Sequence, residues 1–198
     1  MPNPNVGCVI VKDGIVVGRG WTQAGGRPHA EAMAMAQAGE AARGATAYVT
    51  LEPCAHKSER GPPCADTLIE ARIGHVVVAL VDPDLRTAAQ GIARLEAAGV
   101  SVTSGIGTEP ARRAMAGWLS IMERGRPYVT LKLAISLDGC IALTSGESQW
   151  ITGEAARAHG HLEWLWPMPL WWAVGRMRRI IQRLMCGLQG WRGVVPRK

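Results

Sequence analysis

Three side chains far apart in the chain share one chemistry: His29, Cys54 and Cys64, with Glu31 two residues beyond the histidine. One imidazole and two thiolates suit Zn2+. Three protein ligands leave a fourth position open, as in a catalytic rather than a structural site. Water held there falls in pKa toward about 7. A carboxylate beside it, Glu31, can take that proton and hand it to a departing nitrogen. Together these are the working parts of a zinc-dependent hydrolytic deamination. The bland alternatives account for less. Unpaired thiols in a reduced protein leave His29 and Glu31 without a reason. A closed structural site lacks a fourth ligand, since His56, the near candidate, lies just two residues beyond Cys54. Cys8, Cys140, Cys186, His75, His159 and His161 read as core or surface residues.

Such ligands need a scaffold to bring them together. Residues 6–11 and 15–21 are two strand-like runs around Asp13-Gly14, a strong hairpin signal. Residues 30–43, rich in Ala, Met, Glu and Gln and closing at Gly44, read as a helix. A strand over 45–51 leads into a Gly/Pro/charged loop over 52–63, and a helix over 64–72 follows a Pro pair. The run 75–81 is a fully apolar strand of the parallel-sheet type. A helix over 91–98, a strand over 100–103 and a helix over 109–124 complete the alternation, which predicts a three-layer α/β domain over residues 1–124. Residues 125–127 form a linker. A strand over 128–135, the turn Ser136-Leu137-Asp138-Gly139 and a polar stretch to Thr152 begin something larger, because 128–163 is too short to bury a core.

Charge is unevenly spread. Seven of the 22 basic residues and none of the 16 acidic ones lie beyond Glu163, so residues 1–163 carry fifteen bases against sixteen acids. The body is near neutral and shows no nucleic-acid footprint. Five cysteines without a secretory-type leader predict a reducing, cytoplasmic setting in which clustered Cys and His mean metal rather than disulfides. The apolar run 164–175 is short and contains Pro167 and Pro169, so no membrane span is expected.

Pro2-Asn3-Pro4-Asn5-Val6-Gly7, His29-Ala30-Glu31, Leu51-Glu52-Pro53-Cys54-Ala55-His56 and Pro62-Pro63-Cys64 resemble the deaminase half of the bifunctional deaminase/reductase family of riboflavin biosynthesis. Gly146-Glu147-Ser148-Gln149-Trp150-Ile151-Thr152 resembles the start of its reductase half. The resemblance implies a cytidine-deaminase-like three-layer α/β/α sandwich followed by an incomplete start of a dihydrofolate-reductase-like domain. It also implies hydrolytic removal of the 2-amino group of 2,5-diamino-6-ribosylaminopyrimidinone 5′-phosphate. By the same resemblance His29, Cys54 and Cys64 bind zinc, Glu31 shuttles protons, and Asn3, His56, Asp82 and Ser148 meet the substrate. Lys57 and Arg60 are candidates for its phosphate. Leu85, Ala89 and Gln90 depart from the family's Pro, Gly and Arg. Ala134, Trp150 and Thr152 match contacts to NADPH, a cofactor expected to be lost here because Trp164 stands where the family has Arg and the domain is not completed. The implied partner is a small pyrimidine ribose phosphate, with no nucleic acid and no membrane; homo-oligomerisation stays open. Nucleoside and tRNA deaminases of the same fold place only two residues between their cysteines. Nine separate Cys54 from Cys64, which argues against that class. An inactive, truncated remnant that binds zinc at most is the other alternative.

Residues 164–198 differ in kind: basic, rich in Trp and without a helical period across two prolines. Read one frame over, the codons implied by residues 168–176 permit Ala-Ile-Val-Val-Gly-Arg-Gly, which resembles the family's next strand and glycine loop. A frameshift after Glu163 is therefore expected, in preference to a membrane- or RNA-binding segment. The family usually has a helix before the Pro2-Asn3-Pro4 motif, so either the true start lies upstream or that helix is missing, in which case one apolar sheet face is expected to be uncovered.

Overall fold

The computed structural model describes residues 3–56, 58–84 and 88–162. Expectations for Lys57, Leu85, Trp164 and the segment 164–198 lie outside them. The chain divides into two compact units, Met1–Thr130 and Leu131–Lys198.

In the first unit β1 (Gly7–Lys12) and β2 (Ile15–Trp21) form the expected antiparallel hairpin. Its turn residues Asp13 and Gly14 both take positive φ, 50° and 77°, the twist that a two-residue hairpin needs. β3 (Thr46–Val49) pairs antiparallel with β1, and β4 (His75–Val78) and β5 (Ser101–Ser104) extend the sheet in parallel, in the order β2-β1-β3-β4-β5. Register aligns Cys8 with Val49 and Ala47 with Val76, so Cys8, Ile10, Ala47, Val49, Val76 and Val78 form one buried surface. Val77 points the other way by strand alternation and is buried too. β4 is therefore covered on both faces, as a parallel central strand must be.

The helix α1 (Ala30–Ala38) lies on β1 and β2. Its buried residues Ala30, Ala34 and Ala38 face Gly18 and Gly20, and small residues on both sides let the backbones approach closely. α2 (Cys64–Glu70) and α3 (Gln90–Ala97) pack on each other, and α3 also reaches β5. The helix expected over 30–43 breaks at Gly39 into a 3-10 turn, Gly39–Ala42. That expected over 109–124 is two helices, α4 (Thr108–Ala114) and α5 (Ala116–Arg124), parted at Met115 with φ −111° and ψ 14°. Met115 is buried with Ala111, Trp118 and Leu119; the bend turns both helices' apolar residues into one core. On the opposite sheet face the register aligns Trp21 with Gly7 and Tyr48 with Val9, and Trp21 and Tyr48 are exposed.

The segment after the linker departs further from expectation. No strand forms over 128–135, and its apolar residues Tyr128, Val129, Leu131, Leu133 and Ile135 are exposed. Alternating apolar residues make a strand only where a neighbour accepts their hydrogen bonds, and among the described residues none does. The turn at 136–139 forms, with the Gly139 N–H donating to the Ser136 carbonyl at 2.9 Å. A helix that the residue pattern does not predict, α6 (Glu154–Leu162), follows.

Candidate metal centre

Each expected ligand sits where an element starts or stops. His29 is the N-cap of α1 and Cys64 the first residue of α2, while Cys54 lies in the segment that leaves β3. β3 lies between β1, on which α1 rests, and β4, so all three come to one end of the sheet. His29 Nδ1 lies 3.2 Å from Cys64 Sγ and 3.6 Å from Cys54 Sγ. The three ligand atoms fall within 4.8 Å of one another, the scale of two metal–ligand bonds of ~2.0–2.3 Å. Backbone bonds tie the cysteine segments together: the Cys64 N–H donates to Cys54 Sγ at 3.4 Å and the Ala65 N–H to the Cys54 carbonyl at 3.2 Å.

Glu31, in the first turn of α1, is 3% exposed and lies beside the Cys64 thiol. Burial pushes its carboxyl above the usual range, against its own backbone N–H and the nearby His29. The two thiols divide one charge. A hydrogen bond from the Cys64 thiol holds Cys54 down to about 4, with His29 assisting against burial. Cys64, as donor, is pushed up, and burial and Glu31 push the same way. A soft N/S donor set, one ready thiolate and a buried proton acceptor match what zinc takes in a catalytic site.

The candidates for substrate contact are spread around this centre. Asn3 packs against Gly26, just before the Arg27-Pro28-His29 approach to α1. His56 is half-buried, two residues past Cys54. Arg60, in the loop between the cysteines, turns back so that its Nη2 donates to the Gly25 carbonyl at 2.9 Å. Asp82 is buried, and burial raises its carboxyl to about 6. Cys8, read as core, is buried, and its thiol is pushed up by burial and by Glu31.

Ala134, Ser148, Trp150 and Thr152 belong to the second unit. Ser148 and Trp150 line a cavity of about 610 Å³ with Ser136, Asp138, Cys140 and Ile151. The Arg157 guanidinium stacks 4.3 Å from the Trp150 ring centroid and donates to the Thr152 carbonyl, so it joins two of the expected cofactor contacts. The residue that pattern reasoning passes over is Glu52. It is buried beside the centre and accepts four backbone N–H groups. Its sequence signals are its place in the Leu51-Glu52-Pro53-Cys54 motif and an acid in an apolar strand exit two residues before a ligand cysteine.

The cytidine and deoxycytidylate deaminase zinc-binding region matches residues 1–80, which contain all three ligands and Glu31. Fold and site therefore define a domain of the cytidine-deaminase type, with a mixed sheet inside an α/β/α sandwich. The RibD C-terminal domain matches residues 127–195. Riboflavin biosynthesis protein RibD of Escherichia coli (strain K12) is 54% identical over 156 residues, covering 79% of this chain and 42% of the relative. The Aquifex aeolicus protein of the same name is 47% identical over 161 residues, covering 81% and 45%. Among solved structures, Acinetobacter baumannii RibD superposes with a TM-score of 0.69 at 54% identity, covering 80% of this chain and 44% of the other. A Thermotoga maritima diaminohydroxyphosphoribosylaminopyrimidine deaminase/5-amino-6-(5-phosphoribosylamino)uracil reductase gives 0.72 at 38%, covering 81% and 46%. Over the matched residues the chain is similar to RibD, and it spans less than half the length of these relatives.

Proposed function

We propose that this chain hydrolytically deaminates a diaminopyrimidine bearing a ribose phosphate, the first of the two activities named for the Thermotoga relative. The observation that carries the reading is the convergence of His29, Cys54 and Cys64 within 4.8 Å, with Glu31 buried against Cys64. A zinc ion held by these three would act as a Lewis acid and bring water to a pKa of about 7. Glu31 takes a proton from the attacking water and delivers it to the amino nitrogen, so that ammonia leaves and the ring carbon keeps the oxygen. Its burial suits both halves of this transfer, because a carboxyl with a raised pKa holds a proton long enough to return it. Asn3, His56 and Asp82 are assigned to the substrate, and Arg60 to its phosphate. Ser148, Ala134, Trp150 and Thr152 are assigned to the substrate and NADPH contacts of the second, reductive activity in the full-length family. No described helix is long and apolar enough to cross a membrane; free thiols at the centre suit a reducing cytoplasm.

The test is ammonia release by the zinc-loaded full chain from the pyrimidine phosphate, from guanine and from a tRNA anticodon stem. Turnover of the first alone is expected. Glu31→Gln is expected to retain zinc and lower kcat by at least ~10²-fold. An active Glu31→Gln variant refutes the role of Glu31, and release from guanine or tRNA alone refutes the substrate class.

A further inference from the structure

Cys54 lies in a short segment that α3 touches on both sides. Two residues before it, Glu52 is buried and its carboxylate is spent on the start of α3. Oε1 accepts the Gly91 N–H at 2.8 Å and the Ile92 N–H at 3.2 Å, and Oε2 the Ala89 N–H at 3.0 Å and the Asp82 N–H at 3.2 Å. Charge-assisted bonds at a helix N-terminus are the strong kind. One residue before Cys54, the Pro53 carbonyl lies against Gly91; a Cβ there would meet the Pro53 oxygen and lie 3.2 Å from Glu52 Oε1. One residue after Cys54, the Ala55 carbonyl accepts Arg94 Nη1 at 3.0 Å. The same guanidinium pairs through Nε with Asp66 at 2.8 Å, and Asp66 stands two residues beyond Cys64 in the first turn of α2. Residues 52, 53 and 55 are therefore gripped by one helix, which also holds the helix that opens with the other thiol.

We propose that α3 is the buttress of the Cys54 sulfur, with Glu52 and Arg94 as positioning residues that hold the spacing of the two thiols. The proposal rests on reading His29, Cys54 and Cys64 as metal ligands. Gln at 52 replaces one acceptor oxygen by an amide donor, which faces two N–H groups whichever way it turns. Ala at 94 removes the links to Ala55 and Asp66 together. Lys at 94 reaches one of them, since it lacks the fork.

The experiment alkylates the metal-free full chain with iodoacetamide and follows Cys54 and Cys8 separately by mass spectrometry. Chelator competition then gives the zinc affinity of each variant. In Arg94→Ala and Glu52→Gln, Cys54 is expected to label about tenfold faster, with Cys8 unchanged, as for a local opening. Zinc affinity is expected to fall roughly 10–100-fold, the usual cost of removing groups that orient a ligand. Arg94→Lys is expected to lie between these and wild type. Arg112→Ala loses an ion pair of similar exposure to Glu123, away from the centre, and is expected to match wild type in both measurements. Equal acceleration at Cys8 and Cys54, or wild-type labelling in both variants, overturns the proposal. Arg94 is partly exposed, so its variant decides the matter if Glu52→Gln does not fold. A wild-type chain that takes up no zinc sinks the metal reading, while the labelling still decides the buttress.

Discussion

Gly20→Ala adds one methyl group on β2, some distance along the chain from any ligand, and it should damage the metal centre. α1 carries His29 as its cap and Glu31 in its first turn, and rests on β2 at Gly18 and Gly20. A Cβ at position 20 would lie 2.6 Å from the Ala34 nitrogen and 2.7 Å from Met33 Cβ, and closer still to the Ala30 carbonyl oxygen. Two of these are backbone atoms, so no side chain can swing aside. Restoring ordinary contact requires α1 to retreat by about 0.8 Å, and by more at Ala30. Overpacking of this kind costs about 3 kcal/mol, the upper end of its usual range, because helix and sheet must both yield. The retreat carries His29 away from sulfurs now 3.2 and 3.6 Å distant, and a misplacement near 1 Å costs roughly 10²-fold in rate. The assay is urea unfolding of the metal-free chain together with zinc affinity by chelator competition. Gly117→Ala in α5 is the matched control: its Cβ meets nothing within 4 Å, and a gain of about 0.5–1 kcal/mol is expected from the lost freedom of the unfolded chain. A Gly20→Ala chain as stable as wild type, with unchanged zinc affinity, would refute the view that α1 is seated on this glycine face.

Asp82→Asn reports on burial near the centre. With the Asp82 carboxyl raised from 3.8 to about 6, the native state holds this proton more tightly than the unfolded chain, so the stability it contributes is present below about pH 4 and lost as pH rises through 6. The variant should match wild type at low pH and exceed it by about 1–3 kcal/mol at pH 7; parallel urea midpoints across that range would refute the shift. Ala89 is held at φ 58° by its bond to Glu52, a conformation that costs an L-residue about 1 kcal/mol. Ala89→Gly should therefore gain about 0.5–1 kcal/mol in the same unfolding assay without lowering zinc affinity, and a loss of stability counts against strain at this position.

How much of this is legible in the residues depends on what determines each element. The hairpin is legible because Asp13-Gly14 supplies its own turn geometry, and β4 because Val76, Val77 and Val78 leave no polar face. The breaks at Gly39 and Met115 are not, since helix propensity continues through both and tertiary packing decides where each helix bends. The run 128–135 has strand composition, but composition cannot supply the neighbouring strand. α6 is missed for the opposite reason: Glu154, Ala155, Ala156 and Arg157 suit a helix, yet they follow a stretch of turn residues that conceals its start.

The metal ligands are legible in the residues and their supports are not, and one physical difference explains both. Zinc selects side-chain types, so His29, Cys54 and Cys64 betray themselves by chemistry. What holds them is mostly backbone: Glu52 bonds four N–H groups, Arg94 a carbonyl, and Gly20 makes room for another carbonyl by having no side chain at all. Backbone partners leave no trace in residue identity, because every position offers the same groups. The thiol pair shows why the support matters. Cys54 is held down to about 4 by the hydrogen bond from Cys64, with His29 and the Cys64 backbone N–H assisting, while Cys64 is pushed up, so the second thiolate forms when a cation arrives to offset the added charge. Two sulfurs that share one proton at short range must be held there against their own repulsion once that proton leaves. That task falls on the elements at whose ends the ligands stand.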